Sequence, residues 1–102
     1  MKLQQFKHQN QFIIRGEGET VFQSYDSTIA IIKNGVLTLG SDWDYSQTTL
    51  RHLYMFFDEI ARYECDYINN SDLFDKILNA KNKKAFVQNL IDVGLFRYSR
   101  DI

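Results

Sequence analysis

The chain is 102 residues long, 44% hydrophobic and 15% aromatic, with a formal net charge of −1. That size supplies one hydrophobic core and no second domain, the aromatic content excludes intrinsic disorder, and the near-neutral charge argues against holding DNA or RNA by bulk electrostatics. Its single cysteine, Cys65, excludes an internal disulfide framework and a cysteine-rich zinc site and fits a reducing compartment, so the cytoplasm is the expected location.

Residues 1–10 are expected as a flexible lead-in to a single domain spanning 1–102. Their basic start runs into glutamines and lacks the apolar body of a secretory signal. No apolar run approaches the roughly 20 residues needed to cross a bilayer, so no membrane partner is expected. Gln11–Arg15 and Thr20–Tyr25 carry β-branched and aromatic residues on both sides of Gly16-Glu17-Gly18-Glu19, the pattern of a hairpin. Thr28–Ile32 and Val36–Leu39 flank Lys33-Asn34-Gly35, and Asn-Gly is the preferred pair for a tight turn with positive φ at both central residues. These strands form a four-stranded antiparallel meander.

The apolar period then changes from two to about 3.6. Leu50, Leu53, Phe57 and Ile60 lie on one stripe of a helix from about Ser46 to Arg62, with Ser46 or Thr48 as its cap. A second helix near Ser71 to Ala80 buries Leu73, Phe74, Ile77 and Leu78. A third, near Asn82 to Val93, turns Phe86, Leu90 and Val93 inward and stops at Gly94 in the left-handed region. Leu95 to Tyr98 reads as a short C-terminal strand. The predicted fold is α+β, with three helices on one face of the meander. The other face of the sheet is solvated or covered by a partner.

The densest cluster of unusual residues is Ser41-Asp42-Trp43-Asp44-Tyr45-Ser46-Gln47-Thr48-Thr49. Asp42 and Asp44 have the oxygen chemistry of a divalent-metal site, but helix-start chemistry accounts better for them: carboxylates are favoured near a helix N-terminus and Trp43 pins the loop. His52, with Asp58 or Glu59 further along, lacks the nucleophile and orienting partner a catalytic histidine needs and is expected on the helix surface, as His8 has no such set either. Cys65 is expected as a small buried hydrophobe. Gly16-Glu17-Gly18 is too short and too acidic for a phosphate cradle. No catalytic residue, metal or cofactor is expected, and the protein is not expected to be an enzyme.

Charge is more informative. From Asp42 to Asp75 eight acids face two bases, a balance of −6, and from Lys76 to Arg100 six bases face one acid, a balance of +5. The acidic run suits a protein partner with a basic groove. Tyrosine is a favoured interface residue, so the expected protein-binding residues are Asp42, Asp44, Asp58, Glu59, Glu64 and Asp66 with Tyr54, Tyr63 and Tyr67. A homodimer contact is a second use of the tyrosines. The alternative is nucleic-acid binding through Lys81, Lys83, Lys84, Arg97 and Arg100.

Phe22-Gln23-Ser24-Tyr25-Asp26-Ser27-Thr28-Ile29-Ala30, followed by Leu39 and by Trp43-Asp44-Tyr45-Ser46-Gln47-Thr48-Thr49-Leu50-Arg51-His52-Leu53, resembles the core of a family of short proteins from phages, plasmids and other mobile elements of Gram-positive bacteria. The similarity covers about the middle third of the chain, and the later helix ending in Gly94-Leu95 looks like that family's finish. The resemblance implies a genetic setting and no particular chemistry. Small accessory proteins in that setting act on host defence by occupying a surface of a host protein or ribonucleoprotein complex, as anti-CRISPR proteins do. By analogy, the expected role is a non-enzymatic inhibitor of that kind.

Overall fold

A computed structural model describes residues 2–5 as backbone and residues 11–65 and 72–102 in full. It is a mixed α+β fold. Six strands lie in sequence order in one sheet: β1 (Lys2–Gln5), β2 (Gln11–Gly16), β3 (Glu19–Ser24), β4 (Ser27–Lys33), β5 (Val36–Gly40) and β6 (Arg97–Ser99). The first five are antiparallel, and β6 returns parallel to β5, with Leu39 opposite Tyr98. The four-stranded meander and the short C-terminal strand are as the sequence predicts. The additional strand is β1, which pairs Leu3 with Ile14 inside the segment expected to be flexible.

Turn chemistry fixes the hairpins. Asn34 and Gly35 both have positive φ, at 54° and 77°, as their turn requires, and Gly18 takes φ 70° between β2 and β3. Between β3 and β4 the register slips: Phe22 pairs with Ala30 and Gln23 with Thr28, so Ile29 is an extra residue in a β-bulge. The slip breaks the two-residue alternation, and Ile29 and Ala30 are both buried in succession.

Helices cover one face of this sheet. α1 (Gln47–Phe56) continues through a π-helical segment (Phe57–Ala61) into α2 (Arg62–Glu64), and α3 (Leu73–Leu78) and α4 (Lys83–Asp92) follow. Ser46 caps α1, its hydroxyl accepting from Thr49 N at 3.1 Å, and Asn82 caps α4 by accepting from Ala85 N at 3.0 Å. The core joins sheet to helices through Phe22, stacked on Phe56 at 4.9 Å, and through Phe57, whose ring meets Tyr54, Phe74 and Phe96. Ile13, Ile32, Leu37 and Leu39 fill the sheet side.

Two expectations about the helices are corrected. His52 is only 7% exposed rather than on the surface. α1 is enclosed on more than its apolar stripe, and Thr49, His52, Leu53, Tyr54 and Phe56 are all buried. Val93 does not face the core but is 62% exposed, because α4 ends at Asp92 and Val93 falls in the turn before Gly94, at φ 84°. The inward position belongs to the fully buried Val87, one turn before Leu90.

Candidate functional site

The turn between β3 and β4 and the loop between β5 and α1 meet at one end of the sheet. Ser24 pairs with Ser27 across the turn, leaving Tyr25 and Asp26 at its tip. Tyr25 sits at φ 53°, in the left-handed region that a bulky residue occupies at a cost of about 1–3 kcal/mol. The opposite loop is fixed by buried Trp43 and by turns in which Trp43 N donates to Gly40 O at 3.2 Å and Tyr45 N to Asp42 O at 3.1 Å. One side-chain bond joins the two segments: Ser27 Oγ donates to Asp42 Oδ2 at 2.8 Å.

Between them lies a cleft of about 340 Å³ lined by Ser24, Tyr25, Asp26, Ser27, Ile29, Asp42, Tyr45 and Thr49. Ile29, the bulge residue, lines it from the core side. Tyr25 and Tyr45 stand 60% and 80% exposed beside the opening. The lining holds two carboxylates and no base. Ser24 is 3% exposed, and its hydroxyl has no hydrogen-bond partner among the described residues. Alternation along β3 puts Ser24 on the same face as Thr20 and Phe22, the face toward the helices. Its cross-strand neighbour Gln11 is fully buried, and neither amide atom of its side chain has a partner there. A buried polar group left unpaired costs about 1–3 kcal/mol, so this end of the sheet carries an energetic penalty.

The residues expected to form one acidic face are dispersed. Asp42 lines the cleft, while Asp44 turns to Lys84 at 3.5 Å. Asp58 pairs with Arg62 at 3.1 Å, and the same guanidinium bonds Asp75. Glu64 accepts from Arg15 Nη1 and from Thr20 Oγ1, each at 2.6 Å, and Asp72 pairs with Lys76 at 3.4 Å. Glu59 is exposed on the π-helical turn. Asp66 and Tyr67 lie outside the described residues, as does His8. Tyr63 is exposed, but Tyr54 is buried: its hydroxyl donates to Lys83 O at 2.8 Å, and burial pushes its pKa well above the ordinary value of 10.0. Among the described residues no three His, Cys, Asp or Glu side chains form a group able to hold a metal ion.

The basic residues gather elsewhere. Arg51 of α1 joins Lys81, Lys83 and Lys84 along a groove of about 780 Å³ between α1 and the start of α4, with Gln47, Leu50, Tyr54 and Asn82 as its remaining wall. Lys83 is partly engaged, with its Nζ donating to Leu78 O at 2.9 Å and lying 4.8 Å from the centre of the Tyr54 ring. Arg97 and Arg100 are exposed at the far end of the chain, Arg97 on β6, outside this groove. Cys65 is half-buried, and burial, with the Glu64 carboxylate adding to it, pushes its thiol up to about 12. Among the described residues no helix is long and apolar enough to cross a membrane.

Of the cleft-lining residues, charge counting along the sequence found only Asp42 and missed Ser24, Tyr25, Asp26, Ser27, Ile29, Tyr45 and Thr49. Their signal lies in the two motif segments, Ser24–Ile29 and Trp43–Thr49, which fold onto opposite walls of one cleft. No curated protein and no solved structure matches the chain. A family of unknown function (DUF8033) matches residues 1–72, a span that holds every cleft-lining residue, and with more than half of its length matched the chain belongs to that family.

Proposed function

We propose that this chain is a non-enzymatic binding protein that engages a host protein or ribonucleoprotein complex through the cleft at the β3–β4 turn. The observation that carries the proposal is the convergence of the two motif segments on a polar cleft flanked by exposed Tyr25 and Tyr45. Tyrosine supplies broad contact area with a polar tip and little conformational freedom to lose, which makes it effective at the centre of an interface. Tyr25 and the bulge at Ile29 give this wall a fixed shape before any partner arrives, which lowers the ordering cost of association. The resemblance to mobile-element proteins supplies the setting, and inhibition of host defence in the manner of an anti-CRISPR protein is the role we assign there.

The test is affinity capture from nuclease-treated lysate of a Gram-positive host, using the wild-type chain beside Tyr25→Gly and Tyr45→Ala. The expected result is a host protein complex captured by the wild type and lost with Tyr45→Ala. Retention of the same complex by both variants refutes the placement of the contact.

The basic groove favours a second use, binding of a nucleic-acid backbone, because Arg51 adds a fourth cation to the three lysines. It requires salt-sensitive retardation of DNA or RNA that weakens when Arg51 and Lys81 are neutralised. No retardation at low salt removes it.

A further inference from the structure

We propose that the cleft receives one arginine side chain of the partner protein, an inference that rests on the binding role assigned above and specifies its chemistry. Asp26 and Asp42 stand on opposite walls, Asp26 within one motif segment and Asp42 immediately before the other, and neither forms an ion pair among the described residues. Ser27 already fixes one oxygen of Asp42, which orients the carboxylate without neutralising it. Five other carboxylates, Asp44, Asp58, Glu64, Asp72 and Asp75, instead meet a lysine or arginine of the same chain. The cleft therefore brings two carboxylates together with no cation to answer them among the described residues.

Two further observations select the kind of cation. Tyr25 and Tyr45 offer exposed ring faces beside the carboxylates, and a cation over such a face gains from the ring quadrupole. Ser24 offers a buried hydroxyl oxygen without a partner. A guanidinium meets this set better than an ammonium. Its planar fork donates to two carboxylates and a hydroxyl at once, its flat face stacks on tyrosine, and it is the more weakly hydrated of the two. A cleft of about 340 Å³ admits one such side chain and little more. The binding grooves of nucleic-acid-handling proteins are rich in exposed arginine, which matches the class of host complex proposed.

The test is titration of the 15N-labelled protein with acetyl-Gly-Arg-Gly-amide, with the same peptide carrying citrulline in place of arginine, and with magnesium or calcium chloride. Citrulline keeps the shape and removes the charge. Amide shifts are expected at residues 24–27 and 42–45 with the arginine peptide, about tenfold weaker binding with citrulline, and only weak response to the metals. Asp26→Asn, on an exposed side chain with no ion pair to lose, should weaken the arginine peptide by about the same factor while the remaining spectrum shows the fold intact. Asp42→Asn is the second variant, its fold checked in the same way because the Ser27 bond is altered. Equal binding of both peptides, indifference to Asp26→Asn, tighter binding of a divalent ion, or no shift at millimolar peptide would each overturn the inference. Loss of the captured complex with Tyr45→Ala but not with Asp26→Asn would sink the arginine and leave the binding role standing, whereas absence of any captured complex would sink the role itself.

Discussion

Tyr54→Phe isolates one hydroxyl that ties the first helix to the last. The ring would keep its edge contact with Phe57 at 5.4 Å and the Lys83 ammonium at 4.8 Å, so only the 2.8 Å bond to Lys83 O is removed. Lys83 opens α4, and its carbonyl still has the helical partner that position provides, so the acceptor is not orphaned. The expected cost is therefore that of one net hydrogen bond, about 1 kcal/mol, rather than the larger penalty of a stranded group. In a domain of this size that lowers Tm by roughly 4–8 °C. The hydroxyl also shapes the alkaline limb. The folded state holds the phenol proton to higher pH than the unfolded chain does. The stabilisation from that bond is thus complete below the ordinary tyrosine pKa of 10.0 and is lost as pH rises beyond it. Urea unfolding followed by circular dichroism and Trp43 fluorescence at pH 7 and across pH 9–11 measures both effects. A Tyr54→Phe protein as stable as the parent at pH 7, with the same decline above pH 10, would refute the role given to the hydroxyl.

Cys65, raised from 9.0 to about 12, should alkylate with iodoacetamide at pH 8 about 1000-fold more slowly in the folded protein than in urea, as its thiolate fraction falls by that factor. Its contribution to stability is complete below pH 9 and is lost as pH rises toward 12, because the unfolded thiol releases its proton first. Gln11→Met removes two buried amide atoms without partners among the described residues at nearly constant volume and should stabilise the fold by about 1 kcal/mol in urea unfolding; a loss of stability would show that the amide is satisfied. Gly40→Ala places a Cβ 2.5 Å from the Thr28 carbonyl oxygen, which is backbone and cannot swing aside, and should cost about 2 kcal/mol or more. Gly94→Ala meets only the strain of φ 84° and should cost about 1 kcal/mol, so thermal melts that reverse this order contradict the geometry. Tyr25→Gly should raise stability by up to about 1 kcal/mol by relieving φ 53° while abolishing partner capture.

Most of the fold is legible in the residues because local chemistry and burial agree there. Asn34-Gly35 names its turn, Ser46 and Asn82 cap helices in the extended conformation that capping requires, and Gly94 closes α4. The periodicity fails where burial comes from more than one side. His52 looks like a surface residue on a helical wheel with one apolar stripe, but α1 is packed well beyond that stripe. β1 carries only Lys2-Leu3-Gln4-Gln5, without the β-branched residues that mark a strand, and its pairing with β2 is a tertiary fact. The acidic run misled for a related reason. Adjacency in sequence does not make a field when bases from distant segments, such as Arg15 to Glu64 and Lys84 to Asp44, fold onto it.

The cleft itself is where the local rules are broken together. A tyrosine occupies a left-handed position, a bulge interrupts β4, and among the described residues a serine and its neighbour Gln11 are buried without partners and two carboxylates lack a cation. The left-handed tyrosine and the buried polar groups cost stability, and simple alternatives exist: glycine at 25 and an apolar residue at 11. Sequences that specify a fold are locally consistent, and clustered departures from consistency are expected at functional sites. Three of these features are also what a cationic ligand would use: a fixed aromatic face, a hydroxyl acceptor and two carboxylates. The stability gained by repairing them singly, set against the binding each repair removes, separates a site held under strain for recognition from a fold that merely tolerates its defects.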